Sequence, residues 1–562
     1  MGEVHTLRAG PLDATYSDGE LRHIRFGGAE VVQRIYVAVR DQSWGTTPGR
    51  LENVVLHTGP QEFLIVFDSI HQRGDIEFRW RGTITGADSG RISFEMDGTA
   101  HSTFLRNRIG LCVHHPLREC AGKPCLVETD DGLLEWSRFP KFVSPHQPFL
   151  AVRALTHEVA PGMHAEVRFD GEVFETEDHR NWTDANFKTY SIPLSIPFPV
   201  QVTAGTQINQ RVEISIRGAL NPPEPRRERV VHVRVINAAR RRLPRIGLGM
   251  ASDGRSLSQA ERQALRRLRL SHLRVDLSPG RDRRDTLAAA AAEASAVGAK
   301  LEVALSLPGD MQGLREWDSL VDRWLVYRED EKATSAPAAM EMRDAVGAEA
   351  FLAVGTNDYF AELNRNRPAG DGWDAACFSV NPQVHAFDDE SVMANAAGQF
   401  DAVRSALHFL GDRSVVVSPV TLRPRFNPGA TGNAEPSEPD PRQKLPFCAA
   451  WTVASLRSLA EAGASSVTYF ETRGPGGVLD GDDIYPVFRV LEAVGEFAAA
   501  DSVACECSDV SRVAALALQS AGRRRMLIAN LTGEPCEILM EGCAETLKLE
   551  PYEVRVFDRM EG

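Results

Sequence analysis

Residues 272–307 read HLRVDLSPGRDRRDTLAAAAAEASAVGAKLEVALSL, and this stretch decides the class of fold. Its two ends, His272–Leu277 and Lys300–Leu307, have the length and apolar character of buried strands. Between them, residues 286–297 are rich in alanine, which has the highest helix propensity. A strand, a helix and a second strand in this order predict a βαβ unit with parallel strands.

The same alternation continues on both sides of this unit. We predict eight buried strands at 246–250, 272–277, 300–307, 323–328, 351–355, 376–380, 414–420 and 466–471. Helical segments are predicted at 258–270, 286–297, 338–346, 392–410, 446–462 and 484–499. Eight strands that alternate with helices over about 250 residues match a (β/α)8 TIM barrel in number and in length.

Segments of β pattern flank the predicted barrel. Before it, short alternating runs separated by Gly and Asp turns favour a β-sandwich. After it, runs at 513–518, 525–530 and 553–557 predict a small β domain, and a proline-rich stretch at 221–225 predicts a link. We therefore predict a multidomain α/β and all-β protein, with an N-terminal β-sandwich at 1–222, a (β/α)8 barrel at 223–500 and a C-terminal β domain at 501–562.

Composition and charge exclude several classes of protein. The chain has 562 residues and a formal net charge of -14, which argues against nucleic-acid binding. It lacks an apolar run of about 18 residues, so we expect no membrane partner, and its polar N-terminus carries no secretion signal. Nine scattered cysteines without a CxxC pair indicate reduced thiols and a cytoplasmic protein. We expect no metal and no cofactor, and the sequence leaves open whether the chain forms a homo-oligomer.

Polar residues follow many of the predicted barrel strands. In TIM barrels the active site lies at the C-terminal ends of the strands. Acids and amides bind sugar hydroxyls, and arginine binds carboxylates, so these residue types predict a site for a sugar or sugar acid. The candidates are Glu329, Asn357, Glu362, Asn364, Arg365, Asn381, His385 and Glu471.

A second candidate region lies in the N-terminal domain, where residues 174–190 read FETEDHRNWTDANFKTY. If the first part is a strand, Glu175, Glu177 and His179 share one face and Asp178 lies on the other. A carboxylate or histidine could act as a general base, and Lys or Arg could hold an oxyanion. The alternative is an exposed charged loop in which Trp182 and Phe187 fill a domain interface.

This region also resembles a known family. It is similar to the signature Glu-Asp-x-Arg-Asn-Trp-Thr-Asp-Ala-x-Phe-Lys-Thr-Tyr of D-apionate lactonases of bacterial apiose breakdown, with His179 where the signature has glutamine. Further stretches resemble the same family in the same order, at 106–116, 119–125, 144–149, 355–368 and 379–385. The resemblance implies a β-sandwich, a (β/α)8 barrel, a C-terminal β domain and hydrolysis of an aldonolactone to an open-chain sugar acid.

We therefore predict a carboxylic ester hydrolase that opens a small-molecule sugar-acid lactone, such as D-apionolactone, to the free aldonate. Glu177 or Asp178 is the expected base, and Arg180 or Lys188 the expected oxyanion stabiliser. The full catalytic set is Glu177, Asp178, Arg180, Lys188, Glu362 and Glu471. The substrate-binding set is Asn181, Asp184, Asn357, Asn364, Arg365, Asn381, His385 and Glu329.

The alternative prediction is a glycoside hydrolase. It would use two of Glu329, Glu362 and Glu471, with carboxyl groups about 5 to 9.5 Å apart. The sequence leaves open whether the active site lies in the N-terminal domain, in the barrel or in a cleft between them.

Overall fold

The computed structural model describes residues 3–218, 230–277, 282–425 and 438–560. These residues form two compact units. The first contains 3–179 and 185–218, and the second contains 180–184 with 230–277, 282–425 and 438–560. The predicted link at 221–225 lies outside the described residues.

The first unit is built from antiparallel strands. Alternate side chains of these strands, such as Phe78, Trp80 and Ile84, enter one apolar core, because successive residues of a strand face opposite sides. In the described part of this unit, one continuous hydrogen-bonded sheet contains seventeen strands. They are β1 (His5–Ala9), β2 (Leu12–Ser17), β3 (Glu20–Phe26), β4 (Ala29–Asp41), β5 (Gly49–Thr58), β6 (Phe63–Arg73), β7 (Ile76–Ala87), β8 (Arg91–Ala100), β9 (Phe104–Pro116), β10 (Pro124–Thr129), β11 (Leu134–Arg138), β12 (Phe149–Ala160), β13 (Met163–Asp170), β14 (Phe174–Asp178), β15 (Asn186–Ser191), β16 (Val200–Val202) and β17 (Gln207–Arg217). A short helix, α1 (Leu117–Cys120), follows β9.

The second unit contains a closed barrel of parallel strands. Strand β18 (Val230–Arg242) precedes the barrel. Among the described residues, eight strands close the barrel in chain order, and the last one pairs with the first. They are β19 (Arg245–Gly249), β20 (His272–Leu277), β21 (Lys300–Leu307), β22 (Val321–Arg328), β23 (Leu352–Tyr359), β24 (Ala375–Val380), β25 (Ser414–Val420) and β26 (Ser466–Glu471).

Helices connect most of the barrel strands. They are α2 (Gln259–Arg267), α3 (Arg283–Val297), α4 (Ala336–Val346), α5 (Phe360–Arg365), α6 (Asp389–Ala394), α7 (Gly398–Leu410), α8 (Pro446–Ala462) and α9 (Pro486–Gly495). Strand β21 is followed by a 3-10 turn, Leu314–Trp317. The single helix predicted at 392–410 is wrong, because the chain leaves the helical path between α6 and α7.

A buried carboxylate lies inside the barrel. Glu302 of β21 is fully buried, and its Oε1 accepts hydrogen bonds from Ser418 Oγ and from Thr468 Oγ1, the latter at 2.7 Å. Its Oε2 lies 3.6 Å from both His272 Nε2 and Arg323 Nη1. A charge removed from water needs such partners, so this group constrains the packing of the barrel interior.

The C-terminal sheet combines residues from before and after the barrel. Strand β18 pairs with β29 (Asp501–Cys507) and, in parallel, with a later strand. In the described chain this sheet has seven strands around its own apolar core. A two-stranded hairpin, β27 (Leu479–Asp480) and β28 (Asp483–Ile484), precedes this sheet in the chain. Besides β18 and β29, the sheet contains β30 (Val513–Ser520), β31 (Arg523–Asn530), β32 (Cys536–Met540), β33 (Leu547–Leu549) and β34 (Val554–Met560). None of the described helices has the length and apolar character needed to cross a membrane.

Replacing the buried carboxylate should destabilise the protein. We expect Glu302→Gln to lower the free energy of unfolding by about 3–5 kcal/mol, because the amide removes the negative charge that faces Arg323 Nη1 in the barrel interior and leaves the buried guanidinium with Asp322 alone. Urea unfolding followed by tryptophan fluorescence measures the change. The control is Glu316→Gln, which breaks an exposed pair with Arg284 and should cost at most about 1 kcal/mol. Equal losses in the two variants would contradict the role given to Glu302.

Candidate active site

Four polar residues meet at the C-terminal end of the barrel strands. Arg274 of β20 donates from Nη2 to Asn357 Oδ1 at 2.8 Å and to Asp276 Oδ1 at 2.6 Å. Arg425, which follows β25, donates to the same Asn357 Oδ1. Its Nη1 lies 3.6 Å from Asp276 Oδ1. We call Arg274, Asp276, Asn357 and Arg425 the mouth cluster.

The two arginines fix the charge of the carboxyl group in the mouth cluster. Loss of hydration raises the pKa of Asp276, but the positive charges of Arg274 and Arg425 outweigh it and lower this pKa to about 2. Burial and the neighbouring charge of Arg274 lower the pKa of Arg425. Asp276 is therefore a carboxylate at neutral pH, and it accepts hydrogen bonds rather than donating them.

Two further carboxyl groups near the mouth cluster, those of Asp358 and Glu471, have a raised pKa. Burial raises the pKa of Asp358, and the charge of Glu362 raises it further. Burial also raises the pKa of Glu471, whose Oε2 accepts hydrogen bonds from Ser252 N at 3.1 Å and from Ser252 Oγ at 3.2 Å. The charge of Arg425 opposes both increases. A carboxyl group with a raised pKa in a barrel mouth is suited to proton donation.

Residues 180–184, which we call the inserted segment, pack against the barrel. Asn364 Nδ2 donates to Asn181 Oδ1 at 3.1 Å, and Thr183 Oγ1 donates to the carbonyl of Asn381 at 3.2 Å. Arg180 is fully buried, with Nη1 at 3.5 Å from Asp401 Oδ1. The inserted segment is therefore held by the side chain of Asn364 after β23, by the backbone carbonyl of Asn381 after β24 and by Asp401 of α7.

The inserted segment ends in a carboxylate that contacts a histidine. Asp184 Oδ2 lies 2.8 Å from His385 Nδ1, and Asp184 Oδ1 accepts a hydrogen bond from Asn395 Nδ2 at 3.1 Å. The ring of Trp182 meets the ring of His385 edge-on, with 5.3 Å between centroids. Asp184 is buried, whereas the side chain of His385 is 17% exposed. This is the arrangement in which a carboxylate orients an imidazole.

Tyr359 connects these two groups of residues electrostatically. Burial raises its pKa to about 12, and a hydrogen bond between the side chains of Tyr359 and Asn381 opposes that increase. The charges of Asp358, Arg425 and Asp184 all act on this pKa. The mouth cluster and the inserted segment therefore belong to the same end of the barrel.

The first unit holds a separate polar group on β14 and β15. Lys188 pairs across the sheet with Glu177, and Lys188 Nζ lies 3.2 Å from Glu177 Oε1. Burial lowers the pKa of Lys188, but the charge of Glu177 outweighs it, so the pKa is raised and the ammonium is retained. His179 Nε2 lies 3.3 Å from the same carboxylate oxygen. Glu175 accepts a hydrogen bond from Tyr190 Oη at 2.6 Å.

The structure places the predicted residues unevenly. It brings Asp184 to His385 and Asn181 to Asn364 in the second unit, and Glu177 to Lys188 in the first. Asp178 is buried, and its Oδ2 accepts a hydrogen bond from Ser144 N at 2.9 Å.

Other predicted residues have individual environments. Arg365 is exposed and lies over the ring of Trp182, Glu329 is exposed at the end of β22, and Glu362 lies in the first turn of α5. Asn381 Oδ1 accepts from Gln383 N. The side chains of Asp184 and His385 are of types that bind divalent metals, and their ligand atoms lie close enough together to share an ion.

Sequence reasoning missed Arg274, Asp276, Arg425 and Asn395. A signal for the first two was present, because His272, Arg274 and Asp276 alternate along one strand and share a face. Three polar residues on one face of a strand that is otherwise apolar indicate a polar barrel interior. Arg425 and Asn395 carry no comparable signal, because each lies in a connection whose path depends on tertiary packing.

Three family models match the chain in order. They are the N-terminal domain of D-apionate lactonase at residues 2–219, its TIM barrel domain at 321–499 and its C-terminal immunoglobulin-like domain at 511–557. A protein named D-apionate lactonase from Brucella anthropi is 28% identical over 598 aligned positions. That alignment covers 98% of this chain and 96% of the relative.

Two solved structures illustrate a distant likeness to the chain. A glycoside hydrolase family 30 endoxylanase from Clostridium papyrosolvens is 12% identical, with a TM-score of 0.41, and the match covers 59% of this chain and 100% of the other. A family 51 alpha-L-arabinofuranosidase from Bifidobacterium longum is 10% identical, with a TM-score of 0.41 and coverage of 59% and 94%. Likeness at this level does not bear on the activity of this chain.

The close approach of α7 to the inserted segment can be tested at Gly398. A Cβ at this position would lie 2.3 Å from the carbonyl oxygen of Thr183, which is backbone and cannot rotate away. We expect Gly398→Ala to reduce stability by about 1–3 kcal/mol through overpacking, measured as the urea midpoint. Gly28→Ala is the control, since no heavy atom lies within 4 Å of its added Cβ. Equal midpoints for both variants would contradict this contact.

Proposed function

We propose that this chain, which belongs to the D-apionate lactonase family, is a hydrolase that opens the lactone of a sugar acid to the free aldonate. The observation that carries the proposal is the ordered match of three domains of one family along the chain. The polar end of the barrel supports it, because carboxylate, amide and guanidinium groups hydrogen-bond sugar hydroxyls and polarise a lactone carbonyl. D-apionolactone is the first substrate to test.

We propose further that the barrel is of the (β/α)8 class and that the N-terminal unit is a β-sandwich. The closed ring of parallel strands supports the first assignment, and the position of the mouth cluster fits the rule that such barrels act at the C-terminal ends of their strands. The domain bounds 1–222, 223–500 and 501–562 stay proposals. The proposed barrel segment, 223–500, includes strand β18, although β18 pairs with the C-terminal sheet.

Lactone hydrolysis requires an activated water, a stabiliser for the carbonyl oxygen and an acid for the departing ring oxygen. We assign the acid to Glu471, because burial raises its pKa and it lies at the end of β26. We assign the stabilisation of the carbonyl oxygen to the positive charge of Arg425. Glu177 and Lys188 of the first unit are a competing assignment for the base and the oxyanion stabiliser.

We also propose a cytoplasmic location and a small-molecule substrate as the main partner. All nine cysteines of the chain are free thiols. Burial raises the pKa of eight of them, whereas a reactive cysteine has a lowered pKa. Thiols of this kind suit a reducing compartment.

An acid-release assay tests the proposed function. The purified full chain is incubated in weak buffer with a pH indicator and a panel of aldonolactones that includes D-apionolactone. Acid release above the spontaneous rate supports the proposal and ranks the sugars. A parallel panel of aryl glycosides tests the alternative, because aryl release without lactone opening would move the assignment to a glycoside hydrolase that uses Glu329, Glu362 or Glu471.

Removing the proposed acid should change both rate and pH dependence. We expect Glu471→Gln to lower kcat by about 10²–10⁴-fold, because the departing alkoxide loses its proton donor. The wild-type rate should fall as pH rises through the raised pKa of Glu471, since the acid form is the active one, and Glu471→Gln should lack this alkaline limb. The control is Glu316→Gln, an exposed carboxyl in the 3-10 turn that follows β21, which should leave kcat and its pH dependence unchanged.

The same measurement separates the two assignments. An unchanged alkaline limb in Glu471→Gln would refute the role of this residue. If Glu177→Gln or Lys188→Met instead removes the activity while Glu471→Gln retains it, the chemistry belongs to the first unit.

A further inference from the structure

We infer that His385 is the general base of the lactonase reaction and that Asp184, carried on the inserted segment, positions it. This inference rests on the proposed function and names residues for one of its steps. It revises the sequence interpretation, in which both residues only bind substrate. Asp184 orients the imidazole, Asn395 holds the carboxylate, and the two side chains differ in their exposure to solvent.

The contact between the two residues selects a tautomer. Asp184 Oδ2 lies 2.8 Å from His385 Nδ1. A carboxylate only accepts hydrogen bonds, so the proton of a neutral imidazole is on Nδ1 and the lone pair is on Nε2. An imidazole in this tautomer is prepared to receive a proton at Nε2, which is the requirement for a general base.

The carboxylate is itself held in place from its other side. Asn395 Nδ2 donates to Asp184 Oδ1 at 3.1 Å and to the carbonyl of Pro382 at 2.9 Å. Asp184 also follows Thr183, whose hydroxyl donates to the carbonyl of Asn381. These bonds fix the direction in which Asp184 presents its second oxygen, and thereby the plane of the imidazole ring.

The exposure of the two side chains distinguishes the base, His385, from the positioning residue, Asp184. Asp184 has a side chain only 3% exposed, whereas the side chain of His385 is 17% exposed. A buried carboxylate cannot reach a substrate, so it acts through the histidine, and the histidine has the access to water that its role requires. The edge-on ring of Trp182 limits the rotation of the imidazole.

The reaction step balances with water as the only co-reactant. His385 Nε2 takes a proton from water while the water oxygen bonds to the lactone carbonyl carbon, and the π electron pair moves to the carbonyl oxygen. When that pair returns, the bond between the carbonyl carbon and the ring oxygen breaks. The ring oxygen then receives a proton from Glu471, and the imidazolium returns its proton through solvent to the carboxylate of Glu471. The products are the hydroxyl group and carboxyl group of one aldonate.

Four variants of the full chain test the inference with D-apionolactone and the best lactone of the panel. We expect His385→Ala to lower kcat by about 10²–10⁴-fold with little change in KM, and added imidazole to restore part of the rate. We expect Asp184→Asn to lower kcat by about 10³–10⁴-fold without rescue by imidazole, because an amide that donates to Nδ1 favours the wrong tautomer. Asn395→Ala should give a smaller loss of the same kind. His408→Ala, an exposed histidine on α7, should leave both constants unchanged.

The outcomes separate the inference from the proposed function. A wild-type chain that opens no lactone overturns the proposed function and this assignment with it. A wild-type chain that is active while folded His385→Ala keeps its rate overturns the inference alone. Circular dichroism and the thermal midpoint establish folding, and if His385→Ala unfolds, Asp184→Asn and His385→Asn carry the same comparison.

A chelator experiment distinguishes a base from a metal ligand. The wild type is dialysed against EDTA, its metal content is measured, and it is assayed with and without added Zn²⁺ or Mn²⁺. Unchanged activity after chelation supports the base. Loss of activity with EDTA, restoration by one cation, and failure of that cation to bind His385→Ala would overturn the inference, because the imidazole would then hold the metal.

Discussion

The buried carboxylate of Glu302 is the charge on which the interior of the barrel depends. Ser418 Oγ donates to Glu302 Oε1 and accepts a hydrogen bond from Arg274 Nη1 at 2.9 Å. Arg274 in turn contacts Asn357, which also accepts from Arg425. One continuous chain of polar contacts therefore runs from the core of the barrel to its C-terminal mouth. A change at Glu302 is expected to alter the orientation of the groups that face the substrate.

This chain of contacts explains why the barrel accepts so many charges in its interior. Burying an ion costs several kcal/mol unless partners satisfy it. Along β20 the polar side chains occur at every second residue, so His272, Arg274 and Asp276 lie one above another inside the barrel. His272 and Arg274 each contact a hydroxyl group from another strand, and Asp276 contacts the positive charges of Arg274 and of Arg425. The arrangement gives Arg274 a fixed position, and a fixed guanidinium is more useful for orienting a substrate than a mobile one.

The sequence predicts the regular part of this structure well. The bounds of β20, β21, β25 and β26 agree with the predicted strands, because apolar runs between helical segments carry a strong periodic signal. The division of 392–410 into α6 and α7 was not predicted, and at the start of α7 Gly398 lies against the carbonyl of Thr183, a residue distant in sequence. The pairing of β18 with the C-terminal sheet is also a long-range contact. For the candidate site, residue types at strand ends indicated Asn357 and Glu471. The position of Arg425 was not predictable, because it depends on the path of the connection that follows β25.

The densest polar stretch of the chain divides its residues between two compact units. Glu177 lies on a strand and pairs with Lys188 across the sheet, so both remain in the first unit. At His179–Trp182 the chain forms a 3-10 turn, and residues 180–184 then pack with the barrel before the chain returns to β15. The alternation of a strand could not predict this, because the turn changes the direction of every following side chain. A short segment thereby supplies Asp184 to His385 in a barrel connection, and this contact orients the imidazole at the C-terminal end of the strands.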